Sequence, residues 1–168
     1  MNYIDFENLL GKHILTVEEK IGKNFENTLS DKNFYYIQNE LIKKELYAMP
    51  YNCLTILTNE NDTVQSISVH FREVINRQFY DSFNKDYGKP NSILVIENRK
   101  TISKTITKDK NGNIIQSLRK GEFDLREGNF EEKPLYIIWK KEDYQIKAFL
   151  RHKQNMSELT FSLPTTKL

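Results

Sequence analysis

Along most of the chain from Asn52 onward, hydrophobic and polar positions alternate. Once, between Phe71 and Ser92, the alternation gives way to a period of about four. Residues 52–58 interleave two mostly apolar or β-branched sets, Leu54 and Ile56 against Cys53, Thr55 and Leu57. This predicts a strand covered on both faces or nearly so. Asn59-Glu60-Asn61-Asp62 is a turn cluster, whose short polar side chains bond to their own backbone. Residues 63–71 put Ile67, Val69 and Phe71 on one face and Ser66, Ser68 and His70 on the other, the pattern of a half-buried antiparallel strand. Ile75, Phe79, Phe83 and Tyr87 then form one helical stripe. Gly88 and Pro90 end that helix, and 92–96 reads as a third strand.

The flanking regions follow the same reading. The first fifty residues read as mainly helical: a short helix over 3–10 stopped by Gly11, and a second entered through a Thr16–Glu19 capping box. Residues 23–32 read as a loop, and 32–46 as a helix chosen over a strand because 40–46 is rich in helix formers. Pro50 ends it. Strands over 101–107 and 114–119 flank the hairpin turn 109–113 with its Asn111-Gly112 pair, and 123–130 reads as another short strand or a loop. Residues 134–140, 144–151 and 158–163 alternate cleanly and predict three more antiparallel strands. The expected fold is therefore α+β in a single domain over 1–168. It has an antiparallel sheet of about six to eight strands, packed on one side by a helix near 74–87 and by N-terminal helices.

Composition refines this picture little. A chain of 168 residues with 12% aromatics reads as one folded domain rather than a disordered one. The net charge of +2 is too balanced to mark a nucleic-acid binder. A lone cysteine, Cys53, rules out an internal disulfide and suits a reducing compartment. No signal peptide or membrane span is recognisable, so the expectation is cytoplasmic, with no membrane partner.

Candidate chemistry is sparse. His13, His70 and His152 are far apart in sequence and lack metal-ligand spacing, so no metal site is expected. His70, paired with Glu73 near the strand end or with Cys53 across a hairpin, is the one place for an unrecognised enzyme site. A surface histidine and a buried thiol are the simpler readings. The turn at Asp109 lacks the glycine and the acid of a calcium loop. No phosphate loop, nucleophile elbow or cofactor motif appears, and neither catalytic residues nor cofactors are expected.

Charge order is the most informative polar feature. Arg99, Lys100, Lys104, Lys108, Lys110, Arg119 and Lys120 face one acid, Asp109, and are followed by the acidic run Glu122, Asp124, Glu127, Glu131 and Glu132. A basic hairpin beside an acidic segment suits complementary docking, though such charges also simply pair on a surface. The leading expectation is a non-enzymatic intracellular protein-binding module. Its concrete version is an immunity-type protein that neutralises a cognate toxin through Arg99, Lys100, Lys104, Lys108, Lys110, Arg119, Lys120, Glu122, Asp124 and Glu127. One alternative is a nucleic-acid binder using the basic hairpin 99–120, with Tyr35, Tyr36 or Tyr136 stacking on bases. The other is an enzyme with its site near His70. Oligomeric state is left open.

Overall fold

The computed structural model describes residues 4–21, 26–27, 34–38 and 45–164. Among these residues ten strands form one sheet: β1 (Glu26–Asn27), β2 (Phe34–Gln38), β3 (Glu45–Leu46), β4 (Met49–Thr58), β5 (Val64–Phe71), β6 (Ser92–Lys108), β7 (Ile114–Glu127), β8 (Tyr136–Lys140), β9 (Gln145–Arg151) and β10 (Met156–Ser162). Two α-helices, α1 (Ile14–Ile21) and α2 (Arg77–Tyr87), accompany a 3₁₀ turn at Phe6–Leu9 and another at Phe130–Glu132. All pairings are antiparallel, in the order β1-β2-β4-β5-β10-β9-β8-β6-β7, with β3 on β4 to the side. The α+β architecture expected from the periodicity is the one observed.

One face of the sheet is sealed. Leu54, Ile56, Ile67, Val69, Phe71, Ile137, Trp139, Ile146, Ala148, Leu150, Leu159 and Phe161 point into a single core. Phe6 and Leu9, then Ile14, Val17 and Ile21 of α1, then Phe79 and Phe83 of α2 cover them. Phe83 lies at the centre, with the rings of Tyr47, Phe79, Tyr87 and Trp139 between 4.3 and 5.7 Å from its own. The helix is fixed at both ends. Asn76 accepts from the Phe79 amide at its start, and Trp139 Nε1 donates to Asn84 Oδ1 and to the Gly88 carbonyl at its finish. Ile75 of the predicted stripe is buried but lies just ahead of the helix, which begins at Arg77.

Four local expectations give way to tertiary context. The helix expected over 32–46 is not formed: 34–38 is strand β2 on β4, and 45–46 is β3. Residues 32–33 and 39–44 of that helix lie outside the described residues, as does most of the expected loop at 23–32. Phe34, Tyr35 and Tyr36 are strand formers, and a ready pairing partner outweighs the helical propensity that follows them. Tyr47 and Ala48, both at positive φ, reverse the chain, so Pro50 sits inside β4 opposite Glu45. Thr16 does not cap α1; it lies inside a helix that starts at Ile14, where His13 Nδ1 accepts from the Leu15 amide. The Gly11 and Ile14 amides donate to the Val64 and Asp62 carbonyls and the Lys12 carbonyl accepts from the Val64 amide, which sets that earlier start. The segment expected as a helix over 3–10 is a single 3₁₀ turn, Phe6–Leu9. Finally, the separate strands expected at 92–96 and 101–107 are one, β6, and those at 114–119 and 123–130 merge into β7, which stops at Glu127.

Candidate functional site

The merger of those strands creates the most distinctive feature of the molecule. β8 pairs with β6 at Ser92, Ile93 and Leu94, so beyond its first few residues β6 has, among the described residues, no strand partner except β7. From Glu97 to Glu127 every described side chain is exposed except that of Asp109, which is half-buried in its own turn. The two strands leave the sheet as an arm with water on both faces.

The tip is built by Asp109. Its carboxylate accepts from the Asn111 and Asn113 amides at 2.8 Å and from Asn113 Nδ2 at 3.0 Å, while Gly112 takes the positive φ. The Asn113 side chain, with the backbone amides behind it, holds this carboxyl below the usual aspartate range. The root is built by residues 126–132. The Gly128 amide donates to the Ile93 carbonyl, Asn129 and Glu132 form a reciprocal cap, and Arg126 bonds to Glu132. Arg126 pulls the Glu132 carboxyl below its ordinary value, with the Asn129 amide assisting. Phe130 stacks on Tyr80 at 4.3 Å and Arg77 pairs with Glu131, which ties the root to α2.

Register places every predicted docking residue on this arm. Arg99 lies opposite Phe123, on the face continuous with the open side of the sheet, and the backbone of Lys104 lies opposite that of Arg119. Lys100 lies opposite Glu122, and Lys120 opposite Ser103, on the other face together with Asp124. Lys108 and Lys110 lie at the tip, and Glu127 at the root, where its carboxylate accepts from the Ile93 amide. Among the described residues no ion pair closes between these basic and acidic side chains; the arm's one pair is Arg126 with Glu132. Among the described side chains these charges therefore stand free of one another rather than cancelling in place.

Charge order alone misses the apolar half of the arm. Ile102, Ile106, Ile114, Ile115, Leu118, Phe123 and Leu125 are all exposed, Ile115 by 66% and Phe123 by 48%. A signal for this exists in the sequence. Ile114 and Leu118 alternate out of step with Ile115, Phe123 and Leu125, so neither face of that strand collects all its apolar residues. At the root, Ile96, Arg99 and Phe123 of the arm meet Tyr136, Phe149 and Arg151 of the sheet around a groove of about 640 Å³.

The open side of the sheet carries a row of opposed residues running Cys53, His70, Glu158, Phe149, Tyr136, Leu94. His70 Nε2 is 2.9 Å from Thr55 Oγ1, and its Nδ1 is 3.5 Å from Glu158, which is its acidic neighbour in place of the expected Glu73. Burial lowers the His70 pKa, Glu158 opposes this, and Arg151 adds to it. Burial also pushes the Cys53 thiol up, the wrong direction for a nucleophile. Lys147 lies 4.2 Å over the Tyr136 ring and Arg151 4.7 Å over the Phe149 ring. Tyr35 faces the core side, where its hydroxyl donates to Asp62. Among the described residues no group of three histidine, cysteine or acidic side chains is placed to hold a metal, and no helix is long and apolar enough to cross a membrane.

Comparison with known proteins gave no matching family model, no matching curated protein and no matching solved structure.

Proposed function

We propose that this chain is a non-enzymatic protein-binding module and that the β6/β7 arm is its docking element. The observation that carries the reading is the arm itself, a long hairpin whose isoleucine, leucine and phenylalanine side chains have no cover of their own. Apolar side chains left exposed together on one hairpin of a folded protein fit an interaction surface. A two-stranded ribbon is also marginally stable alone in water, so a partner that covers this arm stabilises it as well. The unpaired lysines and acids add selectivity to that apolar contact. The groove at the root, lined by Phe123, Tyr136 and Phe149, suits a partner's apolar side chain.

Nucleic acid is less well served. Arg99 lies on one face, Lys100 and Lys120 on the other, and Glu122 and Asp124 intervene. A strand-tracking groove needs one sign of charge along one face and open rings for stacking, whereas Tyr136 and Phe149 carry cations. The narrower form of the proposal names a cognate toxin as the bound protein, in keeping with the patterned charge. In that form, co-expression with the toxin protects cells, and arm variants lose the protection.

Photo-crosslinking tests the general reading. With a benzophenone side chain replacing Leu118 or Ile102, the arm crosslinks to a protein at high yield. The same probe at Lys85 on α2 does not. Crosslinks from Lys85 with none from the arm would overturn it.

A further inference from the structure

The docking reading leaves open what the arm binds, and the free edge of β7 narrows the choice. β7 ends the sheet: among the described residues it pairs only with β6 along its 14 residues. Its other edge presents a row of backbone donors and acceptors that no proline interrupts and no described helix covers. Such an edge is a template for one more strand. We propose that the added strand is β7 of a second copy of this chain, antiparallel to the first and related by a two-fold axis at Gly121.

The axis position follows from the pleat. An antiparallel two-fold pair keeps each face of the sheet on the same side, so residues that meet must share a face. Positions opposite each other then sum to an even number, and the axis passes through a residue, not between two. Centring on Lys120 sets Lys120 against its own copy, and centring on Glu122 sets Glu122 against its own copy. Like charges directly opposite are destabilising. Centring on Gly121 sets Lys120 opposite Glu122 of the second copy, and by symmetry Glu122 opposite its Lys120. It also leaves no side chain at the axis itself. Lys-Gly-Glu is self-complementary in this one register. The regular overlap runs from Gln116 to Arg126, with Gly121 at its middle, and the register shift at Ile115 lies just beyond it. Lys120 and Glu122 are both exposed and carry no ion pair within the described chain, so both are available to the second copy. Leu118, Phe123 and Leu125, exposed in the single chain, gain neighbours across the new seam.

This inference rests on the arm being the docking element, and a charge swap in the full chain separates the two claims. Sedimentation velocity is measured over a wide concentration range. Wild type is expected to dimerise. Lys120→Glu sets a second carboxylate against Glu122 at both symmetry-related positions and weakens the dimer about tenfold or more; Glu122→Lys does the same through paired ammonium groups. An equal mixture of the two single variants regains the dimer as a heterodimer, and the double variant K120E/E122K regains it alone. That recovery also shows that the single variants are folded. A wild type that is monomeric throughout, or a dimer that neither single variant weakens, overturns the self-pairing. If the chain is monomeric while Leu118 probes still crosslink another protein, self-pairing falls and the docking reading stands. If there is neither dimer nor arm crosslink, both fall.

Discussion

β10 and β7 are both regular antiparallel strands, and they lead opposite lives. β10 lies between β5 and β9, sends Leu159 and Phe161 into the core and exposes little else. Among the described residues β7 has one neighbour, no core face, and leucine, isoleucine and phenylalanine side chains in water. Backbone pairing is the same in kind, so the difference in stabilisation comes from what covers the side chains. The sealed half of the molecule buries about twenty-five apolar residues in one cluster, whereas the arm buries none beyond its root. A fold that supports one half and leaves the other to a partner separates stability from binding, and substitutions should sort the same way.

The largest loss is expected in the core. Phe83→Ala removes a fully buried ring from the centre of an aromatic cluster and should cost about 3–5 kcal/mol in denaturant unfolding. A loss under about 1 kcal/mol would mean that α2 does not seal the sheet as described. Next is the hinge between the halves. A Cβ at Gly128 would stand 2.9 Å from Val95 Cγ1 and from Glu132 Oε2, and Arg126 and Asn129 hold that carboxylate in place. Gly128→Ala should cost about 1–3 kcal/mol and loosen the root.

A smaller effect comes from His70. Its pKa is lowered by burial, so the folded chain binds fewer protons there than the unfolded chain does. Stability is complete above the ordinary histidine value of about 6.5 and is lost as pH falls through it toward the lowered folded value. His70→Gln should flatten that part of the pH profile of the unfolding midpoint; an unchanged slope would place the titration elsewhere. The smallest stability effect belongs to the arm. Leu118→Ser should stay within about 0.5 kcal/mol of wild type while abolishing association. If the same variant unfolded the chain, the division between halves would be wrong.

How much of this is legible in the sequence follows the same division. Where one face is buried, the pattern is plain: Ile67-Val69-Phe71, Ile137-Trp139 and Leu159-Phe161 each mark a core face, and the Phe79-Phe83 spacing marks α2. The turn at Asp109–Asn113 is readable because its chemistry is local. Phe34–Gln38 reads wrongly as helix because its strand depends on β4, remote from it in the chain. The charged residues of the arm stand out as a cluster. Their arrangement does not, because the bulges at Glu97 and Ile102 shift the register and decide which residue shares a face with which. The apolar residues of the arm read as ordinary strand positions, since exposure on both sides is a property of what is missing around a strand.

Native-state hydrogen exchange across the whole chain tests the division most directly. Amides of β5, β9 and β10 should exchange only through global unfolding at every protein concentration. Those between Asn98 and Arg126 should exchange far faster in dilute solution and become protected along β7 as the concentration rises. Arm amides as slow as those of the core in dilute solution, and indifferent to concentration, would contradict it.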